Sequence, residues 1–259
     1  MTKIVLITGA SLGLGKEFAY KYAKETYNLL LVARSENKLL EIKNYLEKKY
    51  NIRVFILVKD LSKNSAAKEV YEYCKENNLR VEILINNAGF GDFGDFKDSD
   101  LDKQTNMIDL NVRSLVQMTH YFLNEMIDKN SGKILNLASV ASFMPGPKMS
   151  VYYASKAFVL SFTEALAEEL TKFNIKISAL CPGPTKTNFE KNADVNFSGV
   201  KMQEASEVVN YAYDKFMSSK KVIILPGLQN KILVTSVKFL PKSFLRKAVN
   251  IIQSNFRGK

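Results

Sequence analysis

Seven short apolar runs, separated by stretches of helical periodicity, limit the folds open to this chain. They are 3–8 (KIVLIT), 28–33 (NLLLVA), 53–58 (RVFILV), 82–86 (EILIN), 132–138 (GKILNLA), 175–181 (IKISALC) and 221–225 (KVIIL). The runs are continuously apolar and do not alternate, which suits strands buried on both faces of a parallel sheet. Helical patterns lie between them, near 13–26, 36–49, 63–77, 103–128, 152–173 and 203–218. Strand–helix alternation implies βαβ units with right-handed crossovers, so a doubly wound, seven-stranded parallel sheet between helical layers is expected. At 259 residues the chain is long enough for one large α/β domain and short for two. Residues 188–202 lack periodicity and read as a loop, and 227–259 read as an appendage.

The first run ends in Thr8-Gly9-Ala10-Ser11-Leu12-Gly13-Leu14-Gly15, and a helix begins inside that turn. The free N–H groups of a helix start, together with the positive end of its dipole, form a seat for a pyrophosphate. Glycines permit the tight turn and the close approach of backbone to ligand. A Rossmann-type, three-layer α/β fold is therefore expected, with 1–226 as a single dinucleotide-binding and catalytic domain. Residues 227–259 are expected to pack on it as a basic, apolar extension.

Composition narrows the setting. Hydrophobic residues make up 46% of the chain, as in a globular protein. Met1-Thr2-Lys3 leads straight into the first strand with no secretory pattern, and no apolar run spans a bilayer, so a cytoplasmic location is expected. Cys74 and Cys181 lie far apart and read as reduced thiols. The lone His120 offers no metal site, and no metal is expected. Of the net charge of +11, most lies in 220–259, which carries nine basic residues and neither Asp nor Glu.

The spacing Gly9-x-x-x-Gly13-x-Gly15 is similar to the fingerprint of the short-chain dehydrogenase/reductase family. The resemblance continues through Asn86-Asn87-Ala88-Gly89, Asn111, Ser139, Tyr152-Tyr153-Ala154-Ser155-Lys156 and Pro182-Gly183-Pro184-Thr185-Lys186-Thr187. These motifs run in order through 1–226. The extended C-terminus resembles a less characterised bacterial branch of that family.

Tyr152 and Lys156 are one helical turn apart on a shared face. A free tyrosine titrates near pH 10, and a neighbouring ammonium, helped by the positive charge of an oxidised nicotinamide, is expected to lower that value. Tyr152 could then exchange a proton with a carbonyl or alcohol oxygen. Tyr153 is also within a turn of Lys156 and competes for the role; the family spacing favours Tyr152. Ser139 can donate a hydrogen bond to the same oxygen, with Ser142 and Ser131 as nearby alternatives. The resemblance assigns Asn111 to a helix kink that completes a proton relay through water. It also gives Lys156 a second role at the nicotinamide ribose.

The second strand ends at Ala33 and is followed by Arg34-Ser35, with no carboxylate to select an unphosphorylated ribose. Arg34 offers a donor fork to a 2′-phosphate and Ser35 adds a hydroxyl, so NADP(H) is the expected cofactor. Ser35 can also cap the following helix. Leu12 stands before Gly13, where some NADP-using relatives carry a basic residue. By resemblance, Gly9, Ser11, Leu12, Gly13, Leu14 and Gly15 hold the nucleotide phosphates. Asp60 and Leu61 meet adenine, and Asn87, Ala88 and Gly89 the ribose side. Pro182, Gly183, Thr185 and Thr187 meet the nicotinamide end, with Tyr152 and Lys156.

The resemblance builds the substrate pocket from 140–151 and 188–202, with helix 203–218 as a lid. Phe143, Met144, Met149 and Phe189 suggest an apolar pocket and a medium-sized apolar ketone or alcohol. Phe244, Leu245, Ala248, Val249, Ile252 and Phe256 form one helical stripe, flanked by Lys242, Arg246 and Lys247. Packing on the body or on a second subunit is the first reading of that stripe, and weak contact with an anionic membrane the second. Nucleic acid is not expected. A homodimer or homotetramer through 103–128 and 152–173 is expected by analogy. The chain thus reads as an NADPH-preferring oxidoreductase interconverting a ketone and a secondary alcohol. Its rivals are a hydroxysteroid or bile-acid dehydrogenase and a non-catalytic NADP sensor.

Overall fold

The computed structural model describes residues 1–197 and 199–256. Arg257 and Lys259, counted in the basic tail, lie outside them. The apolar runs form β1 (Thr2–Thr8), β2 (Asn28–Ala33), β3 (Val54–Val58), β4 (Leu79–Asn86), β5 (Gly132–Leu137) and β6 (Ile175–Leu180), with a two-residue strand at Ile223–Ile224 on the edge. Every pairing is parallel, and the seven strands run in the order β3-β2-β1-β4-β5-β6-edge. The chain winds outward in both directions from β1 and β4. Loops on either side of that reversal open a crevice at the C-terminal ends of the strands.

Alternate residues of each strand bury on opposite faces, which is why the runs are continuously apolar. Val5 and Ile7 pack on one face, with Phe18 and Tyr22 of α1 (Gly13–Lys24), Leu39 and Leu46 of α2 (Glu36–Lys49) and the later helix Ala205–Ser218. Ile4 and Leu6 pack on the other, with Val70 of α3 (Ala66–Glu76) and Phe122 of the helix Leu115–Asp128. Each such fully buried side chain contributes about 1.5–3 kcal/mol.

The expected helix 103–128 is two helices. α4 (Leu101–Ile108) begins where the Asp100 side chain accepts from the N–H groups of Asp102 and Lys103. A π-helical stretch, Asp109–Ser114, follows, and α5 (Leu115–Asp128) completes the pair. Beneath the crevice, a buried polar network ties strands to helices. Asn86 Nδ2 donates to Thr119 Oγ1 and to Asn136 Oδ1, and Asn136 Nδ2 donates to Thr163 Oγ1 on α6 (Ser150–Glu169).

Two expectations need correction. The segment 188–202 is not all loop: β7 (Thr185–Lys186) leads into a short helix, α7 (Phe189–Ala193), and β7 pairs with β8 (Gln203–Glu204). Five helical residues are too few to display a period. The helix near 203–218, α8 (Ala205–Ser218), is no lid. Val208, Val209, Ala212 and Phe216 are buried, and it packs along α1 as a core helix. Residues after the edge strand β9 (Ile223–Ile224) form α9 (Leu228–Val237) and α10 (Lys242–Ser254), which lie over the crevice.

Candidate active site

The glycine turn is shaped by sterics. Gly9 and Gly13 adopt φ of 64° and 54°, in the left-handed region that favours glycine. A Cβ on Gly9 would sit 2.9 Å from Ala88 Cα, and one on Gly15 would sit 2.3 Å from the Gly9 carbonyl oxygen. The turn is held to β4 by Asn87, whose Nδ2 donates to the carbonyls of Thr8 and Gly9 at 2.8 and 3.2 Å. Thr8 Oγ1 accepts from the N–H groups of Asn87 and Ala88. Leu12 stands at the N-cap of α1 and supplies no side-chain cap, so the first N–H groups of that helix are open to an acceptor. A glycine-rich cradle at the positive end of a helix fits a dinucleotide pyrophosphate.

Beyond β2 and β3 the crevice ends in a cationic lobe. Arg34, Ser35, Lys38, Lys59, Asp60 and Leu61 line it. Ser35 occupies the N-cap position of α2 but makes no capping bond, so its hydroxyl is available to a ligand. Partial burial pushes the Asp60 carboxyl up. The Ser62 backbone N–H and hydroxyl, then Arg34 and Lys63, outweigh that and hold it below its ordinary value. Lys38 and Lys59 went unnoticed in the sequence; basic residues next to the ends of β2 and β3 were the available signal.

At the other end, the structure brings Ser139, Tyr152 and Lys156 to one wall of the crevice. Ser139 follows β5 and caps a 3₁₀ turn, its Oγ accepting from the Ala141 N–H at 3.1 Å. Its hydroxyl also lies near that of Tyr152 and favours the ionised phenol. Lys156 is buried, its Nζ donating to the Leu137 carbonyl at 2.7 Å and lying 5.9 Å from the centre of the Tyr152 ring. The expected lowering of the Tyr152 pKa is not what this geometry gives. Burial pushes the Tyr152 phenol well up, against the nearby Ser139 hydroxyl, and burial pulls Lys156 down to about 8. Desolvation is the largest influence on both groups. Burial thus favours the protonated phenol of Tyr152.

Asn111 and Gly15 do not line the crevice; the other proposed site residues do. Asn111 sits in the π-helical stretch and is buried. Its Oδ1 accepts from the Phe90 N–H, and its Nδ2 donates to the Phe90 carbonyl and to Ser155 Oγ. It clamps the segment after Gly89, where a Cβ would lie 2.9 Å from Asn111 Oδ1 and 3.4 Å from Lys156 Nζ. Asn111 and Lys156 thus flank Gly89, with Asn111 serving as a backbone brace.

Tyr153 has a different partner. Its Oη accepts from Gln253 Nε2 of α10 at 2.7 Å, across a sequence separation of 100 residues. Gln253 is buried, and its Oε1 has no hydrogen-bond partner among the described residues although the side chain lines the crevice. No local pattern could have revealed this pair.

The crevice encloses about 1000 Å³. Met144, Met149 and Phe189 line its substrate end. Phe143 does not; it packs instead beside Leu115, Ala138 and Val159. The roof comes from the tail, where Leu233, Leu240, Phe244, Val249, Ile252 and Phe256 face the crevice. Phe256 meets Phe197 edge-on at 5.4 Å, and its carbonyl accepts from the Asn196 N–H. Asn230 of α9 seats over Gly183, where a Cβ would lie 2.4 Å from its Oδ1. Both cysteines are free and buried. Among the described residues there is no cluster of metal ligands, and no helix is long and apolar enough to cross a membrane.

Comparison with known proteins agrees with this geometry. The family described as short chain dehydrogenase matches residues 3–196. Sulfoacetaldehyde reductase 2 of Chromohalobacter salexigens is 37% identical over 191 residues, covering 73% of this chain and 75% of that protein. Among solved structures, a short-chain dehydrogenase from Sphingobium yanoikuyae in complex with NADPH superposes with a TM-score of 0.84 at 29% identity, covering 92% of this chain and 93% of that one. The bulky-bulky ketone specific alcohol dehydrogenase from Comamonas testosteroni gives a TM-score of 0.79 at 26% identity, with 92% of each chain covered.

Proposed function

We propose that this chain, which belongs to the short-chain dehydrogenase family, is an NADPH-preferring oxidoreductase that interconverts a bulky apolar ketone and its secondary alcohol. The observation that carries the reading is the convergence of Ser139, Tyr152 and Lys156 on one wall of a cleft. That cleft has a glycine cradle at one end and an apolar roof at the other. When bound, the nucleotide supplies the reducing equivalents. Gly9, Gly13 and the open start of α1 hold its pyrophosphate, and Arg34 with Ser35 receives the 2′-phosphate. Thr185 and Thr187 line the opposite side, near the nicotinamide end. Asn87, Ala88 and Gly89 line the ribose side.

Ser139 donates to the substrate carbonyl and orients it beside Tyr152. Tyr152, kept protonated by burial, gives its proton to that oxygen as it takes on negative charge. General acid catalysis of this kind contributes about 10²–10⁴-fold. Lys156 stands behind Tyr152, charged or neutral near physiological pH according to small changes around it, and carries the replacement proton. In the oxidative direction the same groups work in reverse.

A large, mostly apolar roof favours a bulky substrate, and the unpartnered Gln253 Oε1 favours one with a second polar group. A hydroxysteroid fits that description and remains the alternative substrate class. A sensor without turnover would have no use for the assembled proton path. Leu101, Ile108 and Phe158 are exposed on α4 and α6, the helices through which a homodimer or homotetramer is expected to form. The test is NADPH oxidation against a panel of ketones graded in size. Turnover that rises from acetone-sized to bulky apolar ketones supports the reading. Binding of NADPH with no turnover on any member of the panel would sink it.

A further inference from the structure

The two C-terminal helices bury one side each and leave another apolar side in water. On α10, Leu245, Val249 and Gln253 are buried at fourfold spacing, whereas Phe244, Ile251 and Ile252 are more than half exposed. Together with Ala248 these exposed residues occupy one flank of the helix, at relative positions 0, 4, 7 and 8. On α9, Val234 and Val237 are buried, and Leu228 and Ile232 share an exposed side. Phe239, in the turn between the helices, is 83% exposed, the highest value among the exposed large apolar residues. A contiguous exposed face of this kind is unusual on a protein surface without a partner.

The charge around that face points to the partner. Lys231, Lys238, Lys242, Arg246 and Lys247 lie on these two helices and the turn between them, and residues 228–254 contain no Asp or Glu. Among the described residues none of these five cations takes part in an ion pair. A second copy docked symmetrically through this face would bring five more like charges against them, which is unfavourable. An anionic lipid surface supplies opposite charge for the rim and hydrocarbon for the exposed side chains at once.

We infer that α9, α10 and the turn at Phe239 dock the protein onto an anionic membrane surface, without crossing it. Phe239, Ile251 and Ile232 enter the headgroup–acyl boundary, and the lysines and Arg246 sit among the headgroups. Phe244 and Ile252 belong both to this face and to the cleft roof, with Leu233 and Leu240 also at the roof, so the mouth of the cleft lies toward the lipid. The inference is independent of the proposed reaction, because vesicle binding requires no turnover.

The test is co-sedimentation of the full chain with vesicles of phosphatidylcholine alone and of phosphatidylcholine with phosphatidylserine, at low and high salt. Each basic residue near an anionic surface is worth about fivefold in partitioning at low salt. Binding to serine-containing vesicles should exceed binding to phosphatidylcholine by well over tenfold and be released by salt. Lys238→Glu with Lys247→Glu should remove that preference. Phe239→Glu with Ile251→Glu should lower partitioning at least tenfold. None of these four residues lines the cleft, so turnover of a small water-soluble ketone and the elution volume should not change. Equal affinity for both vesicle types, or none, overturns the inference. A smaller oligomer in the Phe239→Glu, Ile251→Glu variant would instead identify the face as a contact between copies and overturn it equally.

Discussion

Replacing each of the adjacent tyrosines by phenylalanine separates the two jobs proposed for neighbouring hydroxyls. Tyr152 shares the wall of the cleft with Ser139; Tyr153 accepts from Gln253 at 2.7 Å. Tyr152→Phe deletes the proton donor and should lower turnover about 10²–10⁴-fold while leaving NADPH binding intact. Tyr153→Phe leaves the proton path untouched but strands the Gln253 amide, which already has one unpartnered atom, in a buried site. An unsatisfied buried polar group costs about 1–3 kcal/mol. For a chain of this size each kcal/mol lowers the melting temperature by about 2–4 °C, so a drop of about 2–12 °C is expected. Steady-state NADPH oxidation, nucleotide titration by fluorescence and thermal melts of both variants provide the readouts. A Tyr153→Phe variant that loses turnover while Tyr152→Phe keeps it would refute the assignment. An unchanged melting temperature in Tyr153→Phe would refute the role given to the Gln253 contact.

Three further outcomes follow from other parts of the site. Arg34→Ala should shrink the preference for NADPH over NADH by about 10- to 150-fold, the value of one charge-assisted bond, as measured by the two dissociation constants. Gly15→Ala puts a Cβ 2.3 Å from the Gly9 carbonyl oxygen and 2.5 Å from Asn87 Nδ2. Such overpacking should cost about 1–3 kcal/mol in chemical denaturation and weaken nucleotide binding, because the cradle itself must move. Burial holds Lys156 down at about 8, below its unfolded value, so above that pH the unfolded chain binds the extra proton. The stability contributed by this residue should rise as pH climbs through about 8 and level off above the ordinary lysine value. Denaturation midpoints of Lys156→Met should lack that rise, and a wild-type protein without it would argue against a depressed lysine.

Much of this architecture was legible because its signals are local. Continuous apolar runs such as 28–33 and 175–181 announce strands covered on both sides, and the glycine spacing after β1 marks which end of the sheet carries the crevice. Placement over distance was not legible. The stripe Phe244–Phe256 shows that a face of α10 must be covered, but not that a crevice lies beneath part of it. The apolar positions of α8 are compatible with a lid or a core, and only packing against α1 decides between them. The π-helical stretch at Asp109–Ser114 leaves no period of its own inside an otherwise helical pattern. Phe143 and Met144 are neighbours in sequence, yet only Met144 reaches the cleft. Adjacency of Tyr152 to Lys156 is visible in the sequence, whereas the burial that raises the phenol is not.

The roof built by α9 and α10 gives the chain a division of labour with practical use. Nucleotide seat and proton path are encoded between Gly9 and Thr187, while much of the wall that decides which molecule enters is encoded in 228–256. On the proposed function, specificity is then carried largely as a terminal cassette. Exchanging that cassette between relatives, with Gln253 retained to seat against Tyr153, offers a route to redirect cargo while the reaction machinery is inherited whole.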